Sequence, residues 1–196
     1  GNDPSGSTDT ASWCLGVGAT ALDAITTGDG CSGLGNNALT SCTSGPYNTA
    51  VGHESLPDLT TAQFTTAVGF YSGKYINGSY NTFMGAYAGY SENTGAPQSG
   101  ASNVGVGYYS LGGALLTTGG GNTCVGVWTG YSIAASSGNT YIGGSAGAYN
   151  SGVKNTAVGQ YALDATNANG GNVAVGQNAL TACTNADSTA IGYEAG

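Results

Sequence analysis

A five-residue pattern, Asn-Thr-Ala-Val-Gly, recurs along this chain and constrains its fold more than any other feature. It stands at 48–52 and 155–159, and close variants stand at 139–143 and 172–176. One glycine per copy gives eleven copies, spaced by 16 or 17 residues apart from two steps of 22 and 19. A period this short predicts a solenoid, in which each coil buries its apolar side only against the next coil. The glycines are Gly18, Gly35, Gly52, Gly69, Gly85, Gly107, Gly126, Gly143, Gly159, Gly176 and Gly192.

Three columns keep their character through all the copies. The residue before each motif glycine is Val, Leu, Ile or Met, the third residue after it is Ala, Ser or Thr, and the next is Leu or Gly. Alternation along a strand places the Thr and Val positions on one side and the Asn and Ala positions on the other. We expect the apolar column to form an interior row, and the small-then-Leu pair to form a second short strand. The apolar column consists of Val17, Leu34, Val51, Val68, Met84, Val106, Val125, Ile142, Val158, Val175 and Ile191.

The sequence thus predicts an all-β fold, a parallel β-solenoid of about eleven coils with a period near 17 residues. At the usual spacing of strands, eleven coils would make a rod roughly 50 Å long. Residues 1–12 contain none of the apolar column and are interpreted as an N-terminal arm or linker, and residues 13–196 as the repeat domain. Because the chain starts at Gly1 and not at a methionine, we expect a processed protein or a fragment.

Charge disfavours several classes of partner. The chain has ten acidic residues against two lysines and a formal net charge of −8. Nucleic-acid binding needs a basic surface, so it is not expected, and an anionic membrane surface is disfavoured for the same reason. Apolar runs are too short for a membrane-spanning segment, so membrane insertion is not expected. The scarcity of lysine and the Thr- and Asn-rich composition fit an extracellular setting.

Five cysteines leave an odd thiol. Cys14 and Cys31 occupy the same column of adjacent coils, at a Cα spacing within disulfide range, so we predict a bond between them. Cys42 and Cys183 share another column but lie eight coils apart, roughly 38 Å at the strand spacing. One or both could pair between subunits, or Cys42 could pair locally. Cys124 is expected to be a buried thiol.

Catalytic and metal-ligating patterns are weak. His53 is the only histidine, without a clustered cysteine partner, so no metal site and no cofactor are expected. The acidic residues are scattered, whereas solenoid hydrolases and lyases group theirs in a groove. We therefore expect no enzyme. Asn77-Gly78-Ser79 is a glycosylation sequon on a turn.

An aromatic strip follows the motif glycine in many coils. Stacked coils would line these side chains up on one surface, where they suit a subunit interface, stacking on sugar rings, or shielding of the ladder edges within one chain. The strip consists of Phe70, Tyr71, Tyr87, Tyr108, Tyr109, Trp128, Tyr161 and Tyr193.

The Asn-Thr-Ala-Val-Gly…Ala-Leu repeat resembles the head repeats of trimeric autotransporter adhesins and similar repeats of phage tail-fibre proteins. The resemblance covers 13–196. It implies a left-handed parallel β-roll, assembled as a homotrimer, on an extracellular fibre that attaches to surfaces. The adhesin repeat is somewhat shorter, and this chain shows no coiled-coil stalk or membrane anchor.

Two kinds of function remain open at this level. The first is an extracellular structural fibre or filament subunit with an adhesive or surface-attachment role, assembled as a homotrimer or end to end, with surface glycans or host receptors as candidate partners. The second is a β-solenoid that binds ice or glycans. An ice-binding face would require the threonine column to be exposed, and Val104 and Val173 interrupt that column.

Overall fold

The computed structural model describes residues 10–91, 98–113, 118–133, 135–164 and 169–196. Within them, each copy of the motif supplies one strand of three residues. The strands are β1 (Leu15–Val17), β2 (Ser32–Leu34), β3 (Thr49–Val51), β4 (Thr66–Val68), β5 (Thr82–Met84), β6 (Val104–Val106), β7 (Thr123–Val125), β8 (Thr140–Ile142), β9 (Thr156–Val158), β10 (Val173–Val175) and β11 (Thr189–Ile191).

All eleven strands lie in one sheet in sequence order, and every neighbouring pair is parallel. Equivalent motif residues face each other across each pair, as Thr49 faces Thr66 and Val51 faces Val68. The chain is therefore an all-β solenoid with one strand per coil, which confirms the predicted fold class. The described residues contain no helix long and apolar enough to cross a bilayer.

The predicted N-terminal arm, 1–12, lies mostly outside the described residues. Its last part is attached to the solenoid, since the backbone N–H groups of Thr10 and Ala11 donate to the carbonyl oxygen of Thr26 at 2.9 and 3.1 Å. The N–H of Ser12 donates to the Asp29 carboxylate at 2.7 Å. Residues 10–12 thus belong to the first coil by their hydrogen bonds.

The two sides of each strand are reversed relative to our prediction. The Thr and Val positions do share one side, but that side faces outward. The middle residue, such as Ala50 or Ala157, is fully buried, whereas Val17, Leu34 and Ile142 are 50%, 49% and 42% exposed. The prediction that the apolar column forms an interior row is wrong, because the coil interior is narrow and is already filled by asparagine, alanine and leucine side chains.

The small-then-Leu pair does not form a second strand. Its leucine adopts a left-handed backbone conformation, with φ of 52° at both Leu39 and Leu163. This conformation turns the chain back across the coil and directs the leucine into the core, where both side chains are fully buried. Contact with the next coil is kept by single hydrogen bonds, such as the one from Leu163 N–H to the Ala179 carbonyl oxygen at 2.9 Å. The predicted second strand is therefore a turn that supplies core residues.

A ladder of buried asparagine side chains runs along the interior beside the sheet. The Asn139 carboxamide oxygen accepts the backbone N–H of Asn155 at 2.8 Å, and the Asn155 oxygen accepts that of Asn172 at 2.8 Å. The amide nitrogens donate to turn carbonyls, as Asn139 does to Gly152 at 3.1 Å. Each amide thus satisfies a buried N–H of the next coil that would otherwise lack a partner.

The motif glycine marks the closest approach between coils. Gly52 has φ of +133°, and a Cβ atom built on it would lie 2.4 Å from the carbonyl oxygen of Gly69. The same clash, with the glycine of the following coil, recurs along the column from Gly18 to Gly176. The column is glycine because neither the backbone conformation nor the space admits a side chain.

Two coils exchange a large and a small residue between the middle-strand position and the leucine position. Most coils combine a small middle-strand residue with a leucine after the turn, as with Ala157 and Leu163. Phe83 takes the middle position in β5, and the leucine position of that coil is Gly89, whose missing Cβ would lie 2.5 Å from the Phe83 ring. Tyr141 and Gly147 repeat the exchange in β8, again at 2.5 Å.

Removal of one rung of the asparagine ladder should destabilise the fold. We expect Asn139→Ala to lower the free energy of unfolding by about 2 kcal/mol or more, because an unsatisfied buried donor or acceptor costs about 1–3 kcal/mol. The neighbouring outward change Thr140→Ala should cost less than about 0.5 kcal/mol. Urea unfolding of both variants provides the measurement, and equal midpoints would contradict the proposed role of the amide.

The large–small exchange predicts a rescue. Phe83→Ala should cost about 3–5 kcal/mol because it leaves a cavity in the core. The double change Phe83→Ala with Gly89→Leu recreates the Ala157–Leu163 pair and should recover most of that loss. Urea unfolding would measure this as well. Gly89→Leu alone should be strongly destabilising, since the added side chain meets the Phe83 ring, and additive costs in the double variant would refute the exchange.

Candidate functional site on the outward face of the sheet

The outward face of the sheet consists of two parallel rows, which we call the valine row and the threonine row. The valine row is the apolar column named above, and five of its members, Val51, Val68, Val106, Val158 and Val175, are half-buried while the others are exposed. The threonine row begins each strand, and its members are half-buried except at the two end strands, where they are exposed. It consists of Leu15, Ser32, Thr49, Thr66, Thr82, Val104, Thr123, Thr140, Thr156, Val173 and Thr189.

This face is unusual for a parallel sheet, because such sheets are normally covered on both sides. Eleven strands at about 4.8 Å spacing and roughly 10 Å length give a face of about 500 Å². That is near the upper end of the apolar patches found on monomeric proteins, which are often functional. Neither row contains a charged residue, although the chain carries a net charge of −8. The face therefore suits contact with an uncharged, regular surface.

The predicted aromatic strip borders the valine row, since its residues follow the motif glycine at the end of each strand. Tyr87 and Tyr109 stack with ring centroids 4.6 Å apart and an interplanar angle of 1°. Tyr109 and Trp128 stack at 4.9 Å and 14°. Phe70, Tyr108, Tyr161 and Tyr193 project further and are exposed. Because the stacked rings cover one another's faces, this geometry favours packing between coils over stacking on sugar rings.

A second aromatic stack was missed in the sequence. Tyr47, Phe64 and Tyr80 each precede the asparagine position of their coil, and their ring centroids are 5.2 and 5.5 Å apart with nearly parallel planes. All three are about half exposed. The signal was present as a column of three aromatic residues in consecutive copies, at the other end of the strands from the strip. The outward face thus has aromatic residues at both margins.

A group of charged side chains surrounds Lys74. Its Nζ lies 2.6 Å from Glu54 Oε2 and 4.1 Å from the centroid of the Tyr71 ring. The hydrogen bond from Lys74 holds the pKa of Glu54 below its usual value. Glu54 also approaches His53, whose Nε2 is 3.6 Å from Oε1. An ionic pair stacked on an aromatic ring accounts for these residues as a link between coils.

Ser55, His53 and Asp58 are the residue types of a Ser-His-Asp triad and lie close in sequence, but a triad is defined by its geometry. The Ser55 hydroxyl is fully buried and donates to the backbone carbonyl oxygen of Ala67 at 3.1 Å. Asp58 instead accepts the backbone N–H of Tyr75 at 3.2 Å. These contacts assign the side chains to backbone support between coils.

All five cysteines are thiols in this structure, so the predicted Cys14–Cys31 bond is not formed in it. Cys14 lies beside Cys31, and its Sγ accepts the Cys31 N–H at 3.4 Å. Cys42 is fully buried, which removes it from any surface that a second subunit could reach, whereas Cys183 is half-buried. Cys124 is buried as predicted, and burial raises the pKa of its thiol.

Asn77, the asparagine of the glycosylation sequon, is half-buried, and its side chain is hydrogen-bonded to Thr60. Its amide nitrogen donates to Thr60 Oγ1 at 2.9 Å, and its amide oxygen accepts the Thr60 N–H at 3.0 Å. A glycan attached to that nitrogen would have to replace the first bond.

No group of three or more His, Cys, Asp or Glu side chains among the described residues is arranged to hold a metal ion. Comparison with protein-family models, with curated proteins and with solved structures gives no match. The outward face is therefore interpreted from its own geometry.

Proposed function

We propose that this chain is a non-catalytic structural subunit of an extracellular fibre or filament with an adhesive or surface-attachment role, and that copies of it associate side by side through the outward face. The observation that carries the proposal is the outward-facing, charge-free pair of valine and threonine rows. The resemblance of the repeats to adhesin heads and phage tail fibres adds the extracellular setting and an assembly of three copies.

A second copy of the same chain fits this face better than an unrelated partner. Each coil presents one residue of the threonine row and one residue of the valine row at the strand spacing, so the rows of one copy can mesh with the equally spaced rows of another. Because the rows contain no charge, copies with a net charge of −8 can meet there without opposing like charges. Most soluble oligomers are also closed, symmetric assemblies of identical chains.

The face alone is smaller than a stable interface, so residues beside it must also take part in the contact. About 500 Å² per copy is less than the roughly 800 Å² per partner of a standard stable interface. The aromatic residues at the two margins would supply the rest, and exposed tyrosine and phenylalanine are typical of interface cores. The aromatic strip predicted as an interface thus becomes the margin of a larger contact whose centre is the valine row.

Ice binding is the second candidate function, and one observation favours it. The threonine row, which was expected to share the buried side, faces outward and presents threonine in seven of its eleven positions. A regular array of hydroxyl and methyl groups suits ordered water. The adjacent valine row is wholly apolar, however, and Leu15, Val104 and Val173 interrupt the threonines, which favours contact with protein. Glycan binding has less support, because the aromatic faces are covered by neighbouring rings.

Self-association should be abolished by a charge in the valine row. We expect the wild-type protein to show a molar mass about three times the 19.0 kDa of one chain in size-exclusion chromatography with light scattering. Val158→Lys should reduce it to one chain, because a buried unpaired ammonium is costly. The matched control Ser151→Lys, on an exposed turn of the same coil, should leave the mass unchanged.

A wild-type protein that stays monomeric at tens of micromolar would refute the side-by-side proposal. Long particles in negative-stain images that persist in Val158→Lys would favour end-to-end stacking instead.

Ice binding and self-association compete for the same face, so thermal hysteresis separates them. We expect the wild-type protein to give no more hysteresis than a globular control at equal mass concentration, because the threonine row is covered in the assembly. Hysteresis that is lost in Thr140→Lys but kept in Ser151→Lys would instead make ice binding the function of this face.

A further inference from the structure

Three cysteines converge at the start of the solenoid, where the asparagine ladder has not yet begun. Cys14 and Cys31 replace asparagine in the first two coils, and Cys42 enters the same interior from the turn that follows β2. The Sγ atoms of Cys31 and Cys42 both donate to the carbonyl oxygen of Gly45, at 3.2 and 3.3 Å. Two sulfur atoms that share one acceptor oxygen lie close to each other.

Cys31 and Cys42 are better placed for a covalent bond than Cys14 and Cys31. In-register parallel strands hold equivalent Cβ atoms at about the strand spacing of 4.8 Å, which is wider than the roughly 3.5–4.5 Å that a disulfide spans. Cys14 and Cys31 are held in this way, since they directly precede the paired residues Leu15 and Ser32. Cys31 and Cys42 approach from different sides of one coil, so their Cβ atoms are not held apart by a ladder.

We propose that Cys31 and Cys42 are a disulfide-forming pair, which closes the second coil across its own interior when the chain folds in the presence of a small-molecule disulfide such as oxidised glutathione. This differs from the Cys14–Cys31 bond expected from sequence, and it leaves Cys14 as a thiol. The proposal does not depend on how the chain assembles.

The reaction balances as two thiol–disulfide exchanges. Cys31 loses its proton and its thiolate attacks one sulfur of oxidised glutathione, and the glutathione thiolate that leaves takes up that proton. The Cys42 sulfur then attacks the Cys31 sulfur of the mixed disulfide, and its proton passes to the second departing glutathione. Two protein thiols and one glutathione disulfide become one protein disulfide and two glutathione thiols.

The two sulfur atoms also influence each other's titration in the folded chain, as expected for neighbours. A thiol hydrogen bond from Cys42 lowers the pKa of Cys31. The same contact and burial raise the pKa of Cys42. Both sulfurs are fully buried in the folded chain, so the oxidant must react before the first coils have packed together.

Peptide mapping tests the pairing directly. The full chain is unfolded, refolded in a glutathione redox buffer, alkylated under denaturing conditions and digested with chymotrypsin, which can cut after Leu15, Leu34 and Leu39 and so separates the three cysteines. We expect one linked pair of peptides containing Cys31 and Cys42, with Cys14, Cys124 and Cys183 alkylated. A Cys14–Cys31 pair, or five alkylated cysteines, would overturn the proposal.

Two serine variants provide a second readout. Oxidation should raise the Tm of the wild-type chain by about 6–11 °C, as expected for closing a loop of this length. Cys14→Ser should keep the linked peptide and the rise in Tm. Cys42→Ser, whose hydroxyl can still donate to the Gly45 carbonyl, should lose both. Loss of the bond in Cys14→Ser with its retention in Cys42→Ser would refute the pairing.

Discussion

The structure depends on one repeated hydrogen bond, from the backbone N–H that precedes each strand to the side chain of the equivalent residue one coil earlier. This N–H is buried inside the coil, where no water is at hand to satisfy it. Asparagine provides the acceptor in most coils, and Thr65 and Cys14 provide it with oxygen and sulfur where asparagine is missing. An acceptor at this position, inside the coil, fixes which way the strand faces. The alternation of the strand then places Ala inside and Thr and Val outside.

Because the hydrogen bond decides which face of the strand lies inside, the sequence predicted the architecture correctly but reversed the inner and outer faces of the strands. The period, the strand positions and the parallel stacking follow from column regularity, which the sequence displays. The direction of the strand was inferred from hydrophobicity, which favours burying valine over asparagine. In a coil this narrow, the need of buried backbone groups for hydrogen-bond partners outweighs the gain from burying apolar side chains. The better signal was size: eight of the eleven middle-column residues are Gly or Ala, as a confined interior favours, whereas the valine column tolerates Met84 and Leu34 because it has room.

Contacts between residues of two different columns were harder to predict than the columns themselves. Phe83 with Gly89, and Tyr141 with Gly147, look like isolated exceptions when each column is read alone. Each is recognised as a matched pair only when the two positions are known to meet across one coil, which requires the turn at the leucine position. That turn places leucine at positive φ, a conformation that β-branched residues strongly disfavour. The column accordingly contains only Leu and Gly, an indication of backbone geometry that we interpreted as a strand.

An outward valine row raises a question that the single chain does not answer, namely why it stays apolar in every coil. Nothing inside one copy requires it, since the asparagine ladder, the alanines and the leucines already fill the interior. A solvent-facing position under no constraint would be expected to vary in polarity, as the positions after the motif glycine do, where Gln160, His53 and Asn36 occur beside aromatic residues. The valine row instead has the uniformity of a core position. An identical copy, which repeats the same spacing along its whole length, would cover every valine at once and so make each of them a core residue.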